Sequence, residues 1–97
     1  MVTIHVIDRD PAMRLAARRA LEPAGFIVSE NADDAEPMPS RLDLVVADLS
    51  TSSLTSIRRW HPGARVLATG RDGLTKPFTA SELLVAVRRC LARPFLC

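Results

Sequence analysis

Leu42-Asp43-Leu44-Val45-Val46-Ala47-Asp48 is apolar at five of its seven positions and stops on a carboxylate. A strand this continuous in Leu, Val and Ala suits burial on both faces, the condition of an inner strand in a parallel sheet. Parallel neighbours need crossover connections, so helices are expected between such strands. Upstream, Thr3-Ile4-His5-Val6-Ile7 is a second short β-branched run, closed by Asp8-Arg9-Asp10-Pro11. Asp10 at the N-cap and Pro11 at the first helical position start a helix that runs to about Glu22. Met13, Ala16, Ala17, Ala20 and Leu21 recur at helical spacing and form its inward face, while Arg14, Arg18 and Arg19 face water. Pro23 and Gly25 stop it.

Phe26-Ile27-Val28 reads as the next strand, and the stretch Asn31 to Arg41, with Pro37 and Pro39, allows at most a brief helical turn near 32–36. Downstream of Asp48, Ser50 to Ser53 is a polar loop or cap before a short helix, about Leu54 to Trp60, with Trp60 closing it against the core. Arg65-Val66-Leu67-Ala68 is the fourth strand, followed by Thr69-Gly70. Leu74-Thr75-Lys76 is a minimal fifth strand. Thr79-Ala80-Ser81-Glu82 is a capping box opening a helix whose inner face is Leu83, Leu84, Val87, Cys90 and Leu91. Alternating strands and helices predict a doubly wound α/β sheet, in which function gathers beyond the carboxyl ends of the strands. Asp8, Arg9, Asp10, Asp48, Thr69 and Lys76 fall there.

Composition narrows the classes. Ninety-seven residues, 47% apolar and 25% charged, suit one domain spanning 1–97 with a modest core. The first apolar run is five residues long, which favours neither a membrane span nor a secretory leader, and the expected compartment is the cytoplasm. Residues 1–48 carry five Arg against nine acids, a charge of −4, and residues 49–97 carry +6. Basic pairs without interleaved aromatics read as solvated helix faces, so nucleic acid is not an expected partner. His5 reads as a packed strand residue rather than a ligand, and Cys90 as core, with terminal Cys97 a thiol open to oxidation, the basis of a possible redox-switch class. Among thirteen basic residues Lys76 is the one lysine.

Two carboxylates, a hydroxyl and that lysine at one sheet edge suit phosphoryl transfer to an aspartate. Val6-Ile7-Asp8-Arg9-Asp10-Pro11, Asp43-Leu44-Val45-Val46-Ala47-Asp48-Leu49 and Thr75-Lys76-Pro77-Phe78 resemble the receiver domains of two-component response regulators. The resemblance covers nearly the whole chain in the family's order. It implies a flavodoxin-like sheet of five short, mainly parallel strands in the order 2-1-3-4-5. Six residues between Thr69 and Lys76 leave the family's fourth helix missing, or force a tight antiparallel return, and the second helix is reduced. The implied role is that of a stand-alone signalling domain, not an enzyme. Asp48 would accept a phosphoryl group from a histidine kinase or phosphotransfer protein, Thr69 would bond the phosphate and Lys76 would pair with its oxygens.

Docking to that donor would use the first helix and the Lys76-Pro77-Phe78 turn. A downstream protein target, and a monomer or weak homodimer, complete the expectation. The family's Mg²⁺ site would use Asp8 and Asp48, but its second acidic position is Arg9. Asp8, Asp48, Arg9 and Lys76 sum to zero charge, which removes the electrostatic demand for a metal. An inward Arg9 could pair with Asp48 in the metal's place, or Asp10 could bend in as a substitute ligand. The rival reading is a pseudo-receiver, independent of phosphorylation, that acts as a protein interaction module with Arg9 replacing the metal.

Overall fold

The computed structural model describes residues 1–35, 37–50, 52–71 and 73–93. Strands β1 (Thr3–Ile7), β2 (Ile27–Asn31), β3 (Leu44–Asp48) and β4 (Arg65–Thr69) form one sheet in the order β2-β1-β3-β4, every pair parallel. Helices α1 (Pro11–Leu21), α2 (Leu54–Trp60) and α3 (Ala80–Ala92) cover it. The period-2 alternation of the inner strands divides the core between two faces. Ile4, Val6, Leu44 and Val46 pack with Ala17 and Leu21 of α1 and with Leu83, Val87 and Cys90 of α3. Ile7, Val45 and Ala47 pack with Ile57 of α2 and Met38. Leu44 to Ala47 are all buried, as a strand covered on both faces requires.

The helix ends follow local chemistry. Asp10 accepts from Ala12 N at 2.9 Å and Pro11 fills the first turn of α1, which closes through a 3₁₀ turn at Glu22–Ala24 and Gly25 at φ 97°. Thr79 and Glu82 form the reciprocal capping box of α3, with both bonds at 3.1 Å.

Several expectations change. The fifth strand shrinks to a single parallel bridge, Thr69 to Leu74, so the tight antiparallel return does not form. Leu74 N donates to Ala68 O at 2.9 Å and Gly70 N to Leu74 O at 2.8 Å. The chain makes this short parallel return because Gly70 takes φ 86° and because Gly73 lies against the Ala68 carbonyl, where a Cβ would overlap backbone atoms. No helix is formed between β4 and α3, or between β2 and β3, among the described residues. In place of the expected turn of helix near 32–36, Ala35 N bonds Asp33 Oδ1 at 2.9 Å; Glu36 lies outside the described residues.

Ala16 is exposed, about 100° round α1 from buried Ala17. Arg14 and Arg18, expected in water, are half-buried against Glu30 of β2 at 3.0 and 3.1 Å. Trp60 is 50% exposed instead of closing the core, because α2 is only seven residues long and ends on it. Cys90 is buried on the α3 stripe and is not a free thiol, while Cys97 lies outside the described residues.

Gly73→Ala is expected to cost about 1–3 kcal/mol in urea unfolding, the usual range for forced overpacking. Gly63→Ala, whose Cβ would meet nothing within 4 Å, is the matched control and should change stability by less than about 0.5 kcal/mol. Equal effects from the two would contradict the close approach at Ala68.

Candidate functional site

Parallel pairing brings the ends of β1, β3 and β4 to one edge, and each supplies a polar residue there. Asp8 follows the last residue of β1 and is 4% exposed. Its Oδ1 accepts from Asp10 N at 2.9 Å, and Oδ2 meets Lys76 Nζ at 2.5 Å. Asp48 ends β3. Its Oδ2 lies 2.6 Å from the same Nζ, while Oδ1 accepts from Ser50 N at 2.9 Å and Ser50 Oγ at 2.7 Å. Ser52 Oγ donates to the Asp48 carbonyl at 2.9 Å, tightening the loop behind it. Thr69 is Asp48's register partner on β4 and is 4% exposed. Gly70 follows it and backs onto the carboxylate, since a Cβ there would stand in van der Waals contact with it, 3.5 Å from Asp48 Oδ1.

Lys76 thus bridges two carboxylates from different strands, across 68 and 28 residues of chain. The bridge at Leu74 delivers it, and the next peptide bond, Lys76-Pro77, is cis. For Asp48, burial works toward protonation, but the bonds from Lys76 and Ser50 outweigh it and hold the carboxyl below its ordinary range. For Lys76, burial opposes the charge, and the bonds to Asp48 and Asp8 outweigh that and raise its pKa. Around neutral pH the bridge therefore consists of an ammonium and an ionised Asp48.

Arg9 is exposed, and the cation between the carboxylates is Lys76, not Arg9. Asp10 is turned to the helix it caps. Arg14, which spacing alone placed in water, donates to Asp8 O at 2.7 Å and Arg9 O at 3.3 Å, and its Nε bonds Glu30. It ties the loop carrying Asp8 to β2. Its position on α1 one turn after Asp10 was the available signal, since a long side chain there leans back over the preceding loop.

Three solved structures illustrate the likeness. The chemotaxis response regulator CheY4 of Vibrio cholerae matches with a TM-score of 0.78 at 20% identity, over 93% of this chain and 98% of that one. A response regulator from Thermotoga maritima matches at 0.74 and 23%, over 96% and 99%. A CheY-like receiver domain protein from Methanospirillum hungatei matches at 0.79 and 19%, over 94% of each chain. This is the receiver fold. No protein-family model matches the chain, and no curated protein matches it in sequence.

The resemblance to receiver domains implies Mg²⁺ beside Asp8 and Asp48. Among the described residues no group of three or more His, Cys, Asp or Glu side chains could hold a metal. The two carboxylates that converge both give an oxygen to Lys76, Asp10 faces its helix and Arg9 carries the wrong charge. A divalent cation at Asp8 and Asp48 would have to share their oxygens with the Lys76 ammonium.

Proposed function

We propose that this chain is a single receiver module of two-component signalling, in which Asp48 takes a phosphoryl group from a phosphohistidine on a kinase or phosphotransfer protein. The observation that carries the reading is the Lys76 ammonium held between Asp8 and Asp48 at the open carboxyl edge of the sheet. An Asp48 oxygen attacks phosphorus as the P–N bond of the donor breaks. The released imidazole keeps that electron pair and takes up a proton, and Asp48 becomes an acyl phosphate. Lys76 shifts from the carboxylates onto the phosphoryl oxygens, so the cation that balances the resting site also balances the transferred group. Thr69, beside Asp48 in register, offers its hydroxyl to a phosphoryl oxygen.

The chain's chemistry is confined to its own Asp48, so it acts as a signalling domain and not on a diffusible substrate. In this reading the domain works in the cytoplasm on a protein target downstream, as monomer or weak homodimer. No helix among the described residues is long and apolar enough to cross a membrane.

One observation favours a second reading, a pseudo-receiver that binds partners without phosphorylation. Lys76 already engages both carboxylates, and the third acid of the family's pocket is replaced by the exposed Arg9. Intact-protein mass after incubation with an acyl phosphate, in Mg²⁺ and in chelator, separates the two. A gain of one phosphoryl group in both media, absent from Asp48→Asn, is the expected result. No gain in either medium selects the pseudo-receiver, and a gain only in Mg²⁺ overturns the assignment of the balancing charge to Lys76 alone.

A further inference from the structure

α3 ends at Ala92, and Arg93 turns extended at φ −94° and ψ 138°, the conformation imposed on a residue that precedes a proline, here Pro94. The Arg93 carbonyl accepts from Arg65 Nε at 2.7 Å, which pins the end of the helix to the first residue of β4. One turn before that anchor, Cys90 lies on the inner stripe of α3, 1% exposed, in the cluster that holds Ile4, Leu44, Leu83 and Val87. Its sulfur is in a disulfide. The chain has two cysteines, and the other is Cys97. Four residues beyond Arg93 can span about 14 Å, against about 5 Å for the helical turn from Arg93 back to Cys90, so the chain is long enough to double back.

We propose that Cys90 and Cys97 form a reversible disulfide, a redox modification site that ties residues 94–97 back onto α3. The link is not what holds the fold together, because the four strands pair without it and α3 packs on the sheet through Leu83 and Val87. It closes a loop of only eight residues, 90–97, and a short loop restricts the unfolded chain less than a long one. Reduced Cys90 stays in the core, where a thiol packs as a small apolar group. A dithiol reductase supplies the two electrons and two protons. Burial shields Cys90, so the attacking thiolate bonds to the Cys97 sulfur, the S–S bond breaks and its electron pair leaves on Cys90. Arg89 and Arg93 line the same hollow of about 220 Å³ as Cys90, and their charges stabilise the departing thiolate until it takes up a proton. The second thiol of the reductase then displaces Cys97 as a thiol, and the reductase is left with its own disulfide.

The test equilibrates the full chain in a series of reduced-to-oxidised glutathione ratios, quenches it in acid, alkylates the free thiols and weighs the protein. Both cysteines should gain an alkyl group together as the buffer becomes more reducing, and digests of the oxidised form should yield a Cys90–Cys97 linked peptide. The Arg93 amide, which donates to the Cys90 carbonyl at 3.3 Å, reports the state of the tail. Its hydrogen exchange should quicken at least tenfold on reduction. Cys97→Ser changes only the last residue, keeps the core cysteine, and should show the fast exchange in every buffer, with its folding checked by circular dichroism. Asp48→Asn should titrate as the parent does, which separates this inference from the phosphoryl reading. A glutathione adduct on Cys97 beside an alkylated Cys90, a linked peptide that joins two chains, or a disulfide that survives excess dithiol in the folded protein overturns the proposal. So does Arg93 exchange that ignores the redox state.

Discussion

Lys76→Met is expected to lower the unfolding free energy at pH 7 by about 3 kcal/mol, the low end for removing one partner of a buried ion pair. The side chains of Asp8 and Asp48 are only 5% and 14% exposed, so the substitution leaves two carboxylates facing each other with no cation between them. The low end applies because the Lys76 side chain keeps 26% of its surface in water. The pH dependence follows from the direction of each shift. Asp48 titrates below its ordinary 3.8, so its contribution is present above that value and is lost as pH falls. Lys76 titrates above its ordinary 10.5, so its contribution is present below that value and is lost only as pH rises through the folded pKa. The deficit of the variant is therefore greatest around neutrality and shrinks in acid, where a proton replaces the ammonium. Adding Asp48→Asn to Lys76→Met should recover more than half of it. A deficit below about 0.5 kcal/mol, the scale of an ordinary surface change, would contradict the bridge.

The second large effect comes from His5, in the middle of β1. It is 1% exposed, its Nδ1 lies 2.7 Å from Ser29 Oγ, and its Nε2 has no partner among the described residues. Burial, helped by His61 and opposed by Glu30, lowers its pKa from 6.5 to about 4. The unfolded chain binds the proton near 6.5 and the folded chain only near 4, so protons favour unfolding across that window. Stability from this group is complete above 6.5 and declines as pH falls, with a loss of about 3 kcal/mol by pH 4. Glu30 and Asp48, both held below their ordinary 4.5 and 3.8, add their losses only at lower pH, so the upper part of the decline belongs to His5. Urea unfolding of His5→Asn, which keeps a polar atom for Ser29 and does not titrate, should show a nearly flat profile between pH 6.5 and 5. A decline in that variant as steep as the parent's would contradict the assignment.

The parallel sheet could be read from Leu42 to Asp48 because burial on both faces leaves a continuous apolar run, and the helix starts could be read because capping is local. The pocket was legible for a different reason. Strand ends in a parallel sheet converge, so the residue after each strand is a candidate before any coordinate is known. What escaped the sequence depended on tertiary fit. The fifth strand collapsed to one bridge because Gly73 must press on Ala68, a contact between segments whose spacing does not announce it. Arg14 and Arg18 were assigned to water by helical periodicity, yet the roll of α1 over β2 sets both against Glu30. Arg9 and Asp10 could each have faced the pocket, and the choice fell to backbone geometry. Asp10 N bonds Asp8, its side chain caps α1, and Arg9 is left exposed.

The ammonium between two acids can be observed directly by following the Lys76 Nζ and the Asp48 carboxyl signals by magnetic resonance through a pH titration. Lys76 should titrate above the ordinary lysine value and Asp48 below the ordinary aspartate value, with Lys76 moving back when Asp8 or Asp48 is changed to Asn and Asp48 moving back when Lys76 is changed to Met. A Lys76 that titrates as a free surface lysine and ignores both substitutions would contradict the account.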